Sequence, residues 1–147
     1  TEEILPNAKG ERVALASTVP VILQVNIDST IGSELLNDRT VMQQLIESRE
    51  GTYKNDRVKA ILLYINTPGG TVFDADGIFN ALLDYKKKYN VPIYAYVDGL
   101  CASGGLYISL AADKIYSKKV SLIGSVGVII SSFFNVSKLL EKYDVET

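Results

Sequence analysis

The run Val58-Lys-Ala-Ile-Leu-Leu-Tyr-Ile-Asn-Thr-Pro-Gly-Gly70 determines the architecture of this chain, because a strand ends inside it and a helix begins directly after it. Its first part is nearly all apolar and β-prone, which is typical of a buried strand. Pro68 fixes its own φ and lacks an amide proton, and Gly69 and Gly70 tolerate positive φ, so the strand ends in a turn. Glycine amides at such a turn can bind an anion, although ordinary strand-to-helix connections share the pattern.

The residues after this turn predict a helix from Val72 to Tyr89. Asp74 and Asp76 lie in its first turn and three lysines close its last turn, an arrangement that the helix dipole favours. Asn90 and Pro92 are typical of a helix end. The expected apolar stripe of this helix consists of Ile78, Leu82, Leu83 and Tyr85.

Strands and helices are predicted to alternate along the rest of the chain. Such alternation favours an α/β fold with parallel strands. The predicted strands are residues 21–27, 58–65, 93–97, 114–117 and 126–133. The predicted helices are residues 38–49, 72–89, 103–112 and 136–143, and the first of these is expected to bury Val41, Met42, Leu45 and Ile46.

A second motif, Gly99-Leu-Cys-Ala-Ser-Gly-Gly-Leu-Tyr107, puts a serine next to a predicted helix. A serine hydroxyl is a weak nucleophile unless a neighbouring base takes its proton. Because the chain contains no histidine, a catalytic Ser103 would need a lysine as its base, as in Ser-Lys variants of the catalytic triad. The alternative is a turn of small residues that lets a helix pack on a sheet. Cys101 has no histidine to activate it and is interpreted as a packing residue.

Four segments, in this order, resemble the signal peptide peptidase A family, or protease IV family, of serine proteases. They are Ile65-Asn-Thr-Pro-Gly-Gly70, Asp98-Gly-Leu-Cys-Ala-Ser-Gly-Gly-Leu-Tyr-Ile108, Ala111-Ala-Asp-Lys-Ile115 and Leu122-Ile-Gly-Ser-Val-Gly-Val128. The resemblance covers residues 21–145 and implies an α/β fold of the Clp/crotonase type, a spiral of ββα units. Thr67, Cys101 and Leu106 depart from the family pattern, in which serine, alanine and an aromatic residue are common.

The resemblance also implies the parts of a catalytic site. Ser103 would be the nucleophile, and the backbone N–H groups of Gly70 and Gly104 would hold the oxyanion. An extended substrate would pair with the backbone next to the Gly-Gly turn, as in strand addition. The residues expected to bind it are Gly69, Thr71 and Val72. No metal ion and no cofactor are expected.

The catalytic lysine is expected outside this chain. In single-domain members of the family it lies some tens of residues after the serine, past the segment that matches the end of this chain. The lysines of this chain lie at helix ends, in turns or on wet helix faces. A lysine base should instead be partly buried, so that its pKa falls. Residues 1–147 are therefore expected to form a single protease domain fragment, truncated before its catalytic lysine and inactive by itself.

Composition and resemblance together limit the partners. The chain has 15 basic and 17 acidic residues and a net charge of −2, which is not the basic footprint of a nucleic-acid-binding protein. It contains no run of ~20 apolar residues that could span a membrane. The resemblance implies an N-terminal anchor absent from this chain, at the extracytoplasmic face of a bacterial cytoplasmic membrane. Implied partners are signal peptides, other short membrane-released peptides and further copies of the chain. Residues 126–134 are apolar enough to form the interface between copies, and a buried strand is the alternative for them.

Three alternatives stay open for comparison. A Clp-type protease subunit needs a histidine after the serine, and the chain has none. A crotonase-type acyl-CoA enzyme normally needs glutamates in its pocket, and the segments beside Gly70 and Ser103 contain none. A non-catalytic, oligomeric scaffold member of the family is the alternative of a different class.

Overall fold

The computed structural model of the protein describes residues 6, 9–11, 19–51 and 53–129. Strands and helices alternate through this part of the chain, as the sequence predicts. In chain order they are β1 (Val21–Ile27), α1 (Asp38–Glu50), β2 (Val58–Thr67), α2 (Val72–Tyr89), β3 (Ile93–Ala102), α3 (Gly104–Ser109), β4 (Lys114–Ser117) and β5 (Leu122–Gly124).

All five strands belong to one parallel sheet in which β1, β2, β3 and β4 are neighbours in that order. β3 is long enough to pair with two further strands along one edge. Its first half, from Tyr94 to Val97, pairs with β4, and its last residues, from Leu100 to Ala102, pair with β5. Because the strands are parallel, the carboxyl ends of β2 and β3 lie at the same edge of the sheet, where open α/β sheets usually bind ligands.

One face of the sheet carries the core. Alternate residues of β2 and β3 are buried on this face, and the residues between them are half-buried or exposed on the other. The buried strand residues form one cluster with the inward faces of α1 and α2. The largest fully buried side chains are Val25, Ile27, Ile31, Val58, Ile61, Leu63, Ile65, Ile78, Leu82, Ile93, Val97 and Ile108.

Two helix faces differ from the prediction. On α1 only Val41 and Leu45 of the expected apolar face are buried, whereas Met42 and Ile46 are 46% and 51% exposed. On α2 the predicted stripe is correct except for Leu83, which is 37% exposed. Each helix packs along one side only, so the apolar residue next to a buried one is turned towards solvent.

The last predicted strand, residues 126–133, is also wrong in the part that the structure describes. Residues 126–129 form no strand, and the last strand that the structure describes lies earlier, at Leu122–Gly124. The cause is pairing: residues 122–124 lie beside the end of β3, which continues to Ala102 instead of stopping at residue 97. The remainder of the predicted strand, residues 130–133, and the predicted helix 136–143 lie outside the described residues.

Candidate active site

Two turns meet at the carboxyl ends of β2 and β3. Gly69 has a φ of 97°, and a Cβ atom placed on it would lie 2.7 Å from the Cβ of Ser103 and 3.0 Å from the nitrogen of Gly104. The backbone of the Pro-Gly-Gly turn therefore runs directly against the serine turn, at a distance that only glycine permits. The structure thus brings together the two motifs that the sequence predicts to act as one site.

Ser103 lies on a sharp turn between β3 and α3. Its φ of 51° and ψ of −118° are rare for a residue with a side chain, and such strain is common at functional sites. Its N–H donates to the carbonyl of Gly124 at 3.3 Å, and its carbonyl accepts from the N–H of Tyr107 at 3.1 Å. Ser103 is half-buried, and its hydroxyl has no hydrogen-bond partner among residues 19–51 and 53–129.

The amide of Gly70 is left unused by the contacts around it. Ile31 forms a parallel bridge with Gly70: the Ile31 N–H donates to the Gly69 carbonyl at 2.9 Å, and its carbonyl accepts from the Thr71 N–H at 3.0 Å. In such a pairing the N–H of the middle residue points to the opposite side. A Cβ atom on Gly104 would lie 3.7 Å from the Gly70 nitrogen, so this opposite side is the serine turn.

Gly104 supplies a second N–H of the same kind. It is the first residue of α3, and the first amides of a helix have no partner within the helix. Within the described ranges, neither Gly70 nor Gly104 donates its N–H to a backbone or side-chain acceptor. Two free amides beside one serine hydroxyl could stabilise an oxyanion that forms when the serine attacks a carbonyl.

The contacts of Ile31 change the expectation for substrate pairing. The Thr71 N–H donates to the Ile31 carbonyl, and the Thr71 carbonyl accepts from the Ala75 N–H. The Thr71 hydroxyl donates to the Asp74 carboxylate. The Gly69 carbonyl likewise accepts from the Ile31 N–H, and the Gly69 N–H donates to the Thr67 hydroxyl. The backbone groups of these two predicted binding residues are therefore occupied within the protein. Among the described residues, the N–H groups of Gly70 and of Val72, the first residue of α2, have no hydrogen-bond acceptor.

Thr67 and Asn66 brace the two turns, a role that sequence analysis did not assign. The buried hydroxyl of Thr67 donates to the Ser29 carbonyl at 2.6 Å and accepts from the Gly69 N–H at 3.1 Å. Its methyl group fills the space beside Gly105. The Asn66 side chain accepts from the Leu100 N–H at 3.0 Å across to β3. The larger threonine, at a position where the family pattern has serine, is thus a packing residue under both turns.

Asp74 connects the first turn of α2 to the start of α1. Its carboxylate accepts from the Thr71 hydroxyl and, at 3.2 Å, from the N–H of Asp38 at the start of α1. These hydrogen bonds lower the pKa of Asp74 below its ordinary value. Because a carboxylate is the form that accepts them, this link between α1 and α2 is intact at neutral pH.

The described lysines have the wrong environment for a general base. They are exposed, except for Lys86, which is half-buried and ion-paired with Asp113 at 2.5 Å. Lys118 forms an ion pair with Asp98, and this hydrogen bond raises the pKa of Lys118 above its ordinary value. A base that accepts a proton from serine needs the opposite shift, towards a neutral amine. Lys138 and Lys142 lie outside the described residues.

Cys101 is a core residue, as its interpretation from the sequence requires. It is fully buried at the end of β3, and burial raises the pKa of its thiol. A buried, protonated thiol is a poor nucleophile.

Alanine substitutions should distinguish the tightly packed glycines from the others. A Cβ on Gly70 would lie 1.9 Å from the Ile31 carbonyl oxygen, and the next nearest atoms are also Ile31 backbone, which cannot rotate away as a side chain can. We expect Gly70→Ala to lower the free energy of unfolding by at least ~3 kcal/mol, as severe overpacking does. A Cβ on Gly104 would lie 3.1 Å from side-chain atoms of Ala75 and Ile31. Gly104→Ala should therefore lower the free energy of unfolding by only about 1 kcal/mol.

Urea unfolding followed by circular dichroism measures both values. Gly127→Ala is the control, because a Cβ at Gly127 has nothing within 4 Å. Its free energy of unfolding should stay within about 0.5 kcal/mol of the wild-type value. Equal losses in the Gly70 and Gly104 variants would contradict the packing described for the first turn.

Neither a metal site nor a membrane span is found in the described part of the chain. No group of three or more histidine, cysteine or acidic side chains there is arranged to hold a metal ion. No helix among these residues is long and apolar enough to cross a bilayer.

Comparison with known proteins shows which family this chain resembles. The family model described as Peptidase family S49 matches residues 85–147. A protein of Enterococcus faecium named as signal peptide peptidase SppA is 35% identical over 146 residues, which are 99% of this chain and 41% of that protein. The chloroplastic serine protease SPPA of Arabidopsis thaliana is 33% identical over 114 residues, 78% of this chain and 16% of that protein. The chain therefore spans less than half the length of these relatives.

A solved structure agrees with the predicted fold. The membrane-bound stomatin-specific protease 1510-N superposes with a TM-score of 0.59 over 88% of this chain and 60% of that chain, at 21% sequence identity. The α/β architecture with a parallel sheet is thus of the Clp/crotonase type, as predicted. By its sequence, the chain is similar to the proteases of peptidase family S49.

Proposed function

We propose that this chain carries the nucleophile and the oxyanion hole of a serine endopeptidase with a Ser-Lys dyad. The Ser103 hydroxyl attacks a peptide carbonyl, and a neutral lysine amine takes its proton. The N–H groups of Gly70 and Gly104 hold the oxyanion of the tetrahedral intermediate. The lysine then protonates the leaving amine, and water releases the acyl group from Ser103 in the same way.

One observation supports this proposal above the others: two unpaired backbone amides lie beside a strained serine. Strain of this kind persists only where the surrounding structure holds it in place. Here the Gly124 carbonyl, the Gly69 backbone and the first turn of α3 all hold Ser103. An ordinary packing turn would need neither a serine at this φ nor amides without acceptors.

The substrates, the anchor and the assembly are proposed for the whole protein. The relatives' names include signal peptide peptidases, and we propose leftover signal peptides and other short membrane-released peptides as substrates. We further propose an anchor outside this chain, at the outer face of a bacterial cytoplasmic membrane. A homo-oligomer is proposed because Val126, Val128 and Ile129 are 88%, 69% and 95% exposed, an apolar run that a second copy could cover.

Two substrate types test the reaction class in the full-length protein. A fluorogenic peptide with small apolar residues around the cleaved bond should be hydrolysed, whereas an acyl-CoA thioester should not. The matched control is the same peptide with aspartates in place of the apolar residues, which should be cleaved at least about tenfold more slowly, as a lost apolar contact predicts. Turnover of the thioester alone would favour a crotonase-type enzyme. An oligomer that turns over neither substrate would indicate a scaffold.

A further inference from the structure

A cluster of three polar side chains lies on the less buried face of the sheet, next to the site but outside it. The Asp98 carboxylate on β3 accepts a hydrogen bond from the Tyr64 hydroxyl on β2 and forms an ion pair with Lys118. We call Tyr64, Asp98 and Lys118 the Asp98 cluster. The mechanism above uses none of these residues.

The cluster fastens the turn between β4 and β5 to β3. Lys118 begins this turn, and its N–H donates to the Val97 carbonyl at 3.2 Å. Ser121 ends it: its hydroxyl donates to the Val97 carbonyl at 3.0 Å and accepts from the Gly99 N–H at 3.3 Å. The Lys118–Asp98 ion pair is the only charged contact recorded for this turn in the described part of the chain.

The turn matters because it leads directly into β5. This strand has three residues, and among the described residues its partner is the end of β3. Gly124, its last residue, provides the carbonyl that accepts from the Ser103 N–H. A short strand with one partner has little pairing of its own to fix its position. Whatever holds the preceding turn therefore also holds the acceptor for Ser103.

We propose that Lys118 and Asp98 are positioning residues for Ser103, whose ion pair keeps β5 in place so that the Gly124 carbonyl can hold the serine turn. This inference rests on the proposed function, since it treats Ser103 as the nucleophile. Tyr64 supports the pair by orienting the Asp98 carboxylate from β2.

The charges of the pair suit this role. Hydrogen bonds from Lys118 and Tyr64 lower the pKa of Asp98, and the bond with Asp98 raises the pKa of Lys118, so both stay charged at neutral pH. The Lys118 side chain is 48% exposed and that of Asp98 is 21% exposed, and pairs this exposed add little to global stability. The pair can still affect the reaction by fixing the position of Ser103, because catalysis is sensitive to shifts of about 1 Å in a reacting group.

Active-site labelling of the full-length protein tests the inference. A fluorophosphonate that reacts with Ser103 gives kinact and KI for each variant, with mass spectrometry to identify the labelled residue. We expect Lys118→Met and Asp98→Asn each to lower kinact about tenfold with KI unchanged, since a displaced nucleophile reacts more slowly. The double variant should be no slower than the singles, because both remove the same contact. Lys118→Arg keeps the ion pair, so its kinact should stay within about twofold of the wild-type value.

Lys59→Met is the matched control. Lys59 forms an exposed ion pair with Asp56 at 2.7 Å, at the opposite end of β2, roughly 26 Å from Thr67 at the usual rise per strand residue. Its kinact should equal that of wild type. The Arg variant also separates positioning from proton transfer, because a guanidinium cannot act as a base at neutral pH.

A second measurement does not depend on activity. The Ser103 amide is bonded to the Gly124 carbonyl, so its hydrogen exchange should be about tenfold faster in Lys118→Met, with the exchange of the β2 amides unchanged. Tyr64→Phe, which keeps the ring and the ion pair, covers the case in which Lys118→Met fails to fold. It should lower kinact about fivefold, which exceeds the margin allowed for Lys118→Arg, and wild-type kinact in this variant would contradict the role given to Tyr64.

Three results would overturn the inference. They are wild-type kinact in folded Lys118→Met, an equal loss in Lys59→Met, or unchanged exchange at Ser103. Wild-type protein that is not labelled at Ser103 would overturn the proposed function and this inference together, whereas normal wild-type labelling with an unaffected Lys118→Met would overturn only the inference.

Discussion

Replacing Ser103 by alanine is expected to lower kcat for peptide hydrolysis by on the order of 10⁶-fold in the full-length protein, as the loss of a nucleophilic serine does in serine proteases. The alanine cannot form the acyl-enzyme, and no neighbouring group can replace it, because Cys101 is buried with a raised pKa. The two amides and the binding surface remain, so a residual acceleration of roughly 10³-fold over water should persist. Steady-state turnover of a fluorogenic peptide measures the loss.

Two nearby residues serve as controls for this variant. Ser109→Ala removes a buried hydroxyl on the same helix, which donates to the Leu106 carbonyl at 2.6 Å and contacts the Cys101 thiol. Cys101→Ala removes the thiol that precedes the serine turn. Each should keep kcat within a few-fold of wild type, since neither residue reaches the reacting atoms. Near-normal turnover by Ser103→Ala would refute the assignment of the nucleophile.

The fold was predictable because its signals are local. The apolar runs that form β1 and β2, and the Pro-Gly-Gly break after β2, specify strand and turn without reference to the rest of the chain. The bounds of α2 agree with the prediction at both ends, since Thr71 caps its start and Asn90 adopts the left-handed conformation after its end. Both signals lie in the residues themselves.

Features that depend on tertiary pairing were not predictable in this way. The extension of β3 to Ala102 and the place of β5 both come from pairing between segments distant in sequence. The exposed Met42 and Ile46 show the same limit on α1: the helix pattern predicts an apolar side, but packing on α2 decides how wide that side is. No property of residues 122–124 alone distinguishes them as a strand from residues 126–129.

The candidate site, too, was predictable only where its signals are local. Sequence motifs identified Ser103 and the two glycines as candidates, and their roles in catalysis are still predictions. Ile31 could not have been found, because it lies in a loop without a motif and acts through its backbone. Its bridge to Gly70 decides which amides are free, and so it alters the expected role of Thr71. Backbone contacts of this kind are set by the fold and leave no trace in residue type.

The 147-residue chain is expected to react at Ser103 about 10³-fold more slowly than the full-length protein, because we propose that the lysine base is not among these residues. The structural basis is the set of described lysines: none is buried, and the pKa of Lys118 is raised by Asp98. A serine without its base keeps a high pKa and attacks slowly, while the oxyanion hole and binding retain part of the rate. Fluorophosphonate labelling of both forms, followed at Ser103 by mass spectrometry, measures the difference.

Circular dichroism and thermal unfolding of both forms are the controls, because slow labelling of a misfolded chain would have a trivial cause. The direction in which the labelling rate changes with pH provides a further test. A lysine that acts as a neutral base gives a labelling rate that rises with pH until its pKa is passed, so the full-length protein should show this rise, and the 147-residue chain should lack its midpoint. Equally rapid labelling of both forms would contradict the proposal. It would assign the base to a lysine of this chain, and Lys138→Met and Lys142→Met would then identify which one.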